Sequence, residues 1–504
     1  MDWIVVLYGI SITVGIILIF IDLKFSSHDW LGYPFTILLV QATRDLGVEP
    51  LFKYFTGFEY SEVYFYERVS GVDAFKGWFV IFTGYICVAA GLAIGKRVWS
   101  RALSSQRFST QEHITYPGQY YDTGWAVSLL FFVLGLFANG VVFTVLLGNY
   151  SLFGLSSYRA VYSAELATPI VGYMRIISPA MQFGALGMIL FSSGKTGRLR
   201  MGLLATISNI VVEIFYGGRA KVIYAVFCLI VAYIYIDEKV RWKYILRYVV
   251  LGLGGLSMIG FLRYGVEEIW HAPLSAVNFL LASESARLDE AAWLVSVFPD
   301  RIPFTGWINA IGAAARFIPY LQIPGSKTLW GYVIDYYFSG ENPWSGTVGG
   351  NYPSFAEFYT WGGYPSIIVF GFLAGVLFSL VFEWQRRDRK NIYLSLFHII
   401  VLMYFFKGLQ TRMPEILGTI GLAFVFITLM AAVAVRDKYS KTILLILYFD
   451  GVLFFMWWFW RGDIIKALIL GSIPAFYLLG IQLMKRLNPG YLSARQSYNI
   501  QSRV

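Results

Sequence analysis

Residues 75–94 read FKGWFVIFTGYICVAAGLAI, an apolar stretch with one lysine near its start, and residues 95–101 continue as GKRVWSR. A helix needs about 20 predominantly apolar residues to cross a bilayer, because a lipid-exposed backbone polar group cannot remain unpaired there. The stretch therefore predicts a membrane-spanning helix that ends in a basic loop. The same combination recurs along the rest of the chain.

Apolar stretches of similar length predict about twelve spans. They lie at 3–21, 75–94, 125–147, 169–191, 200–216, 220–236, 244–264, 362–382, 392–406, 414–435, 442–460 and 464–484. The stretch 31–40 is too short to cross and is expected to be re-entrant or interfacial. The fold class that follows is all-α, a polytopic transmembrane helical bundle.

The composition excludes several classes of protein. Of 504 residues, 57% are hydrophobic, 18% are aromatic and only 14% are charged, whereas a typical soluble domain is about 25% charged. A soluble multidomain enzyme, a disordered protein and a nucleic-acid-binding protein are therefore excluded. Cys87 and Cys228 both lie in apolar runs, so no disulfide framework is expected, and no motif for ATP, a metal ion or another cofactor is present.

The net charge of +10 describes topology first, since Lys and Arg concentrate in every second loop. These residues are Lys96, Arg97, Arg101, Arg107, Lys195, Arg198, Arg200, Lys239, Arg241, Lys243, Arg386, Arg387, Arg389, Lys390, Arg436, Lys438, Lys441, Lys485 and Arg486. With those loops in the cytoplasm, both termini are cytoplasmic as well. The chain then divides into an N-terminal bundle of about seven spans (1–264), a large extracytoplasmic loop (265–361), and a C-terminal bundle of about five spans with a cytoplasmic tail (362–504).

The loop 265–361 is far longer than ordinary connections. It contains amphipathic pieces at 288–297 and 307–320, followed by an aromatic, glycine-rich run at 330–364. We expect short amphipathic helices that lie on the membrane surface or fold over the outer end of the bundle. Such a loop is typical of a lid or a substrate platform, although a loop without a binding role is the simpler alternative.

Within this run, Glu357 stands alone among aromatic residues just before a predicted span. A carboxylate at that depth is costly unless it is paired or catalytic, so Glu357 is a candidate catalytic residue. Tyr352, Tyr359 and Trp361 offer flat amphipathic faces on which a sugar can stack. Alternatively, Glu357 is simply a helix-start carboxylate stabilised by the helix macrodipole.

Several cations depart from the orientation rule, because they fall at outward turns or in the outer part of a span. They are Arg159, Arg175, Arg219, Lys221, Arg263, Lys407, Arg412, Arg461 and Lys466. Any one of them could extend to the interface by snorkelling. Together they indicate an electropositive pocket that opens outward and binds an anion, most plausibly a lipid diphosphate, which arginine can hold in a bidentate manner.

The stretch 349–363, GGNYPSFAEFYTWGG followed by the predicted span, together with the late outer loop and outward arginines, resembles the Wzy-type oligosaccharide repeat-unit polymerases. Weaker similarities lie at 218–221 and 411–415. The resemblance implies a metal-independent glycosyltransferase that acts in the bacterial cytoplasmic membrane with its active site facing the exterior. It would transfer a glycan from undecaprenyl diphosphate to the next undecaprenyl-diphosphate-linked repeat unit. A polysaccharide chain-length regulator is an implied partner.

The residues can be assigned roles in that reaction. Glu357 is the candidate base for the acceptor hydroxyl, with Glu415, Asp335 and His271 as alternatives. Preorganised cations can stabilise the charge that develops on the diphosphate in place of a metal, and a single displacement would invert the anomeric centre. The candidate diphosphate ligands are Arg219, Arg263 and Arg412, with Lys221 and Arg175 next and Arg159 and Lys407 further contributors to substrate binding.

Three other interpretations remain open. An O-antigen ligase would use the same donor, and ligases resemble one another in carrying a catalytic histidine in the outer loop, where this chain has His271. A lipid-linked oligosaccharide flippase or other transporter would suit the number of spans, although transporters tend to place their charges near the midplane. A purely structural membrane scaffold leaves the outward cations unexplained.

Overall fold

A computed structural model describes residues 3–25, 34–56, 70–104, 118–149, 174, 177–192, 194–215, 225–226, 228–232, 287–315, 323, 325–327, 329–337, 353–387, 391–410 and 413–435. Every regular element in these ranges is a helix. The helices are α1 (Trp3–Phe25), α2 (Pro34–Thr43), a π-helical turn (Arg44–Val48), α3 (Glu49–Thr56), α4 (Gly71–Ser104), α5 (Gly118–Asn149), α6 (Ala180–Leu190), α7 (Thr196–Phe215), α8 (Arg287–Val297), α9 (Trp307–Ala315), α10 (Leu329–Tyr337), α11 (Ser354–Gly362), α12 (Tyr364–Arg387), α13 (Ile392–Gln410) and α14 (Met413–Val435).

Four of the described helices are long and apolar enough to cross a membrane. The qualifying segments are Val5–Asp22, Gly71–Ala102, Tyr120–Val145 and Tyr364–Arg387, and three shorter apolar segments occupy Ala180–Leu190, Ile392–Phe405 and Ile416–Ala432. The all-helical fold is therefore confirmed for the described residues, and these apolar helices are typical of a membrane-embedded protein. The count of about twelve spans stays a prediction, because those at 244–264, 442–460 and 464–484 lie outside the described residues and the one at 220–236 is described only in part.

The chain forms two compact units, and neither unit is a single continuous segment of the chain. The first comprises Met1–Leu103, Tyr264–Trp384 and Val401–Ile420, and the second comprises Ser104–Arg263, Gln385–Ile400 and Gly421–Val504. Each unit thus combines segments from both halves of the chain. The three predicted regions, 1–264, 265–361 and 362–504, follow chain order and stay predictions.

In the first unit, α4 and α12 run parallel and touch through glycines. A Cβ atom placed on Gly375 would lie 2.3 Å from the carbonyl oxygen of Val88 and 2.9 Å from the Cα of Gly91. One turn further on, Gly95 lies against Ser379, and the indole of Trp99 donates a 3.0 Å hydrogen bond to the carbonyl of Val376. Small residues let the two backbones meet, as is typical of helix pairs in membranes.

The first unit also contains a helical hairpin made by α1 and the continuous run 34–56. Thr36 donates a hydrogen bond to Asp22 at one end of the hairpin, and Gly47 packs on Ile12 towards the other. The run begins beside Lys96, with which Pro34 lines a small cavity. The N-terminal end of α1 therefore lies at the same end of the unit as the N-terminus of α4, opposite Lys96.

The described part of the apolar stretch 31–40, from Pro34 onward, thus begins a longer helical run. The run passes through the π-helical turn, where the indole of Trp78 donates a 3.1 Å hydrogen bond to the carbonyl of Leu46. The stretch looks short in the sequence because Arg44 and Asp45 interrupt its apolar pattern. In the structure these two residues pair with each other at 2.8 Å, which lets the helix continue past them.

The second unit is built around the packing of α5 on α6. Here a Cβ atom on Gly135 would lie 2.1 Å from the backbone nitrogen of Met181. At one end of the unit, Asp122 at the start of α5 pairs with both Lys195 and Arg198. Arg198 also lies over the ring of Trp125, 5.3 Å from its centroid. The N-terminal ends of α5 and α7 consequently lie at the same end of this unit.

Candidate functional site

Helix α11 (Ser354–Gly362) carries the predicted catalytic residue and is enclosed on all sides. The eight side chains from Ser354 to Trp361 are all buried, although the sequence places them in a loop. A helix that is apolar on one face only would leave the opposite face in water. Helix α11 is therefore part of the core of the first unit and is not a surface decoration.

Two of the long helices form one wall around α11. The ring of Phe355 occupies the space that a side chain on Gly84 of α4 would need, since a Cβ atom there would lie 2.2 Å from the ring. The start of α12 lies nearer the N-terminus of α4, where Tyr364 meets Phe79 edge to face at 5.7 Å. Phe79 and Gly84 are five residues apart on α4, which corresponds to roughly 7.5 Å along the helix axis. Phe355, near the start of α11, therefore lies that much further towards the C-terminal end of α4 than Tyr364, the first residue of α12. Helix α11 thus folds back beside the first turns of α12, where Phe358 and Trp361 contact Phe370.

The connection between α8 and α9 forms the other wall. The backbone N–H of Thr305 donates a 2.8 Å hydrogen bond to the carbonyl of Thr360, and the hydroxyl of Tyr359 donates a 3.4 Å bond to the carbonyl of Phe298. Gly363 then turns the chain into α12 with a φ of 73°, a conformation that residues with a side chain rarely adopt. These contacts hold α11 at a defined depth and rotation.

Glu357 lies in the first turn of α11 and is only 4% exposed. Its backbone is fully used, because its N–H donates to the carbonyl of Pro353 at 3.1 Å and its carbonyl accepts from the Thr360 hydroxyl at 2.7 Å. The first-turn position agrees with the macrodipole alternative. Burial adds a cost that a surface helix start does not have, because a carboxylate loses most of its hydration. That cost makes Glu357 a candidate for a functional role.

The two described aromatic candidates, Tyr359 and Trp361, are buried with the rest of α11. Tyr359 packs edge to face on Phe304 at 5.7 Å, and Trp361 does the same on Phe370 at 4.9 Å. Burial raises the pKa of Tyr359, and the charges of Tyr364 and Asp300 raise it further. Both rings face protein in this structure, so the exposed aromatic surface of this unit lies elsewhere.

Most of the predicted cationic site lies outside the described residues. The candidate residues outside the described ranges are Arg159, Arg175, Arg219, Lys221, Arg263, Arg412, Tyr352 and His271. Lys407 is placed in α13 and Glu415 in α14 by their backbones alone. Asp335, the remaining alternative base, is exposed on α10 and pairs with Lys327. The structure therefore describes the carboxylate part of the predicted site and leaves the cations as predictions.

Sequence reasoning overlooked three further buried carboxylates, those of Asp45, Glu290 and Glu383. Asp45 in the π-helical turn is 3% exposed, accepts a hydrogen bond from the hydroxyl of Tyr85, and pairs with Arg44. The ring of Tyr85 meets the ring of Phe355 edge to face at 4.9 Å, which connects this group to α11. The signal was a charged pair inside an apolar stretch, and π-helical turns are frequent at functional sites.

Comparisons with known proteins add no assignment: no protein-family model, curated protein or solved structure matches this chain.

Proposed function

We propose that this chain is a membrane glycosyltransferase that polymerises oligosaccharide repeat units carried on undecaprenyl diphosphate. The observation that carries the proposal is the carboxylate of Glu357, which is 4% exposed on the enclosed helix α11 of the first unit. An ionisable group placed at that depth is a functional-site candidate by default.

The position of α11 along the helices supports chemistry on the outer face. Helix α11 packs beside the N-terminal halves of α4 and α12, through Gly84 and Phe370. Lys96, Arg97 and Arg101 lie towards the C-terminal end of α4. Basic ends face the cytoplasm in most membrane proteins. By that rule Glu357 lies in the exterior half of the first unit, on the side where the proposed enzyme of a bacterial cytoplasmic membrane would meet its substrates.

The helix α9 supports a membrane-surface position for the segment between α8 and α11. Its exposed residues Trp307, Ile308 and Ile311 form one apolar face, and Trp307 packs on Phe370 of α12 at 5.5 Å. Tryptophan is enriched where protein, lipid headgroups and water meet. Helix α9 would therefore lie in the outer interface and fix the level at which α11 enters the bundle.

The proposed reaction is a single displacement at the anomeric carbon. The carboxylate of Glu357 accepts the proton of the acceptor hydroxyl, whose oxygen forms a new bond to the anomeric carbon. The bond from that carbon to the diphosphate oxygen breaks, and the diphosphate leaves with the bonding electrons. Preorganised cations stabilise the added charge, a role we assign to Arg219, Arg263 and Arg412. The configuration at the anomeric carbon is inverted.

Purified protein in lipid nanodiscs, supplied with lipid-diphosphate repeat units, tests the proposal. A ladder of products that differ by one repeat unit is expected. Transfer of glycan to a lipid A core would indicate a ligase, and movement across the bilayer without new bonds would indicate a flippase. Product NMR that shows retained configuration would exclude the single displacement.

The role of Glu357 needs variants that keep the fold. Glu357→Gln and Arg219→Ala are each expected to abolish the ladder. Glu383→Gln is the matched control, since Glu383 is another fully buried carboxylate but lies near the C-terminal end of α12. A Glu357→Gln protein with full activity would remove this residue from the reaction.

A further inference from the structure

A column of three aromatic rings runs from the core to the solvent, formed by Phe298 just after α8 and by Tyr332 and Tyr336 of α10. Phe298, at the base, is fully buried and lies near-parallel to Tyr332 with 6.5 Å between ring centroids. Tyr332 in turn stacks on Tyr336, one helical turn later, at 4.5 Å and 27°. Tyr336 is 54% exposed. Its inner face is covered by Tyr332, so the exposed area includes the outer end of the column.

An ion pair lies near this outer ring, since the ammonium of Lys327 interacts electrostatically with Tyr336. Asp335 is adjacent to Tyr336 in the chain, and its carboxylate pairs with the ammonium of Lys327 while both side chains stay exposed. Exposed charges of both signs would be costly in lipid, so this surface faces water. It differs in this respect from the apolar face of α9, where Trp307, Ile308 and Ile311 carry no charge.

The column is also held rigidly. Tyr359 of α11 donates a hydrogen bond to the carbonyl of Phe298 at its base. Next to α10, the backbone N–H of Lys327 donates a 2.7 Å hydrogen bond to the side chain of Asn309 on α9. A preorganised aromatic face loses little conformational entropy when a ligand stacks on it. The same helix, α11, carries Glu357 and supports the column.

We propose that the outer face of Tyr336, bordered by Asp335 and Lys327, is a binding subsite for a pyranose ring of a glycan. A sugar presents a flat C–H face that packs on an aromatic ring, while its equatorial hydroxyls point sideways to a carboxylate and an ammonium group. One ring and one ion pair match one sugar unit in size. A protein partner would need about 800 Å² on each side, far more than these three side chains expose.

This subsite is distinct from Tyr359 and Trp361, the sugar-stacking residues expected from the sequence, whose rings are buried. The kind of glycan rests on the proposed function, in which the growing chain or the incoming repeat unit would pass over the outer face. The subsite would position a sugar unit on its way to the carboxylate on α11. Its binding can be measured without any transfer reaction.

Saturation-transfer-difference NMR on the full-length protein in detergent tests the proposal directly. The probes are soluble hexamers of glucose, galactose, mannose and N-acetylglucosamine. At least one hexamer is expected to receive saturation at its ring C–H protons. Tyr336→Ala should weaken that binding by about three- to tenfold, the amount that an aromatic contact contributes. Tyr336→Phe keeps the ring and should retain the binding.

Tyr54→Ala is the matched control, because Tyr54 is a similarly exposed tyrosine on α3. It should bind the same hexamer as tightly as the unaltered protein. The proposal is overturned if no hexamer receives saturation, or if Tyr336→Ala binds as tightly as the unaltered protein. Binding without a polymer ladder would contradict the proposed enzyme and leave the subsite standing. If the Tyr336→Ala protein still makes the full polymer ladder and no hexamer binds, the proposed enzyme stands and the subsite is contradicted.

Discussion

The hydroxyl of Tyr85 donates a hydrogen bond to the Oδ2 atom of Asp45, forty residues earlier in the chain. The other carboxylate oxygen of Asp45 accepts from Nε and Nη2 of Arg44, at 3.0 and 2.8 Å. Asp45 is buried, whereas Arg44 keeps 28% of its side chain exposed. The carboxylate thus joins the π-helical turn to the middle of α4, and through the Tyr85 ring it reaches Phe355 of α11.

Removal of this link should lower the stability of the first unit. Tyr85→Phe keeps the ring on Phe355 and removes one hydrogen bond, so we expect a loss of about 1 kcal/mol in the free energy of unfolding. Asp45→Ala also leaves Arg44 without its carboxylate, and a loss of roughly 2–3 kcal/mol is expected, since exposure of Arg44 moderates the cost of breaking the pair. Denaturant unfolding of the purified protein in detergent measures both.

The double variant provides the control for this prediction. Because the two side chains bond to each other, the losses of Tyr85→Phe and Asp45→Ala should be less than additive. Tyr54→Phe, at an exposed site, should leave the stability unchanged. Strictly additive losses would mean that the two residues act independently.

A side chain at Gly91 should separate α4 from α12. The Cβ atom of Gly91→Ala would lie 2.2 Å from the carbonyl oxygen of Phe372, which is a backbone atom and cannot rotate away. Overpacking of this kind costs typically 1–3 kcal/mol, and the midpoint of thermal unfolding in detergent should fall accordingly. Gly9→Ala on α1 is the control, because nothing lies within 4 Å of its added Cβ atom. An unchanged midpoint for Gly91→Ala would show that the two helices do not cross at these glycines.

The long helices were predictable because each one is encoded locally. The predicted span 75–94 lies within α4 (Gly71–Ser104), and the span 362–382 corresponds to α12 (Tyr364–Arg387). Both follow from an unbroken apolar run, which the bilayer requires regardless of its neighbours. Short helices in the segment before α12 were also expected. The piece at 288–297 corresponds to α8, and the described part of the piece at 307–320 corresponds to α9 (Trp307–Ala315).

The packing of these helices was not predictable, because it depends on contacts between distant residues. Glu357 could be singled out from the sequence as an isolated carboxylate. Its burial, however, depends on the packing of Phe355 of the same helix against Gly84, about 270 residues earlier in the chain. Tyr359 and Tyr336 have the same residue type and a similar sequence context, yet one is buried and the other exposed. Only the rotation of α10 and α11 against α8 decides which ring remains accessible.

The titration of Tyr332 should report on the aromatic column. Burial, followed by the hydrogen bond and charge of Tyr336, raises the pKa of Tyr332 to about 12, against about 10 for an unperturbed tyrosine. The neutral phenol is therefore favoured in the folded protein. The resulting contribution to stability is fully present below pH 10 and is lost as the pH rises through 12.

Carbon-13 NMR of tyrosine-labelled protein can measure this pKa at the ring Cζ atom. The resonance that disappears in Tyr332→Phe identifies the residue, and it should titrate at about pH 12. The difference in stability between the unaltered protein and Tyr332→Phe should be constant below pH 10 and change above it. If the assigned resonance titrates near 10, Tyr332 does not stack against Tyr336 as described.

The N-terminus of the chain should lie outside the cytoplasm, in contrast to the cytoplasmic position expected from counting spans. Helix α1 runs antiparallel to the helical run 34–56, with Gly15 beside Thr43 and Gly47 beside Ile12. That run begins beside Lys96, near the basic end of α4. If Lys96 faces the cytoplasm, the C-terminal end of α1 does so too, and its N-terminal end faces the exterior.

Labelling of single cysteines with a membrane-impermeant maleimide on intact cells tests this topology. In a variant with Cys87 and Cys228 replaced by alanine, Asp2→Cys is expected to react before lysis. Arg101→Cys, near the basic end of α4, should react only after lysis, which controls for leakage of the reagent. If Asp2→Cys is also protected until lysis, the N-terminus is cytoplasmic. In that case the N-terminal end of α1 and the C-terminal end of α4 would both be cytoplasmic. The C-terminal end of α1 and the N-terminal end of α4 would then both be exterior, so the run 34–56 between them would not cross the membrane.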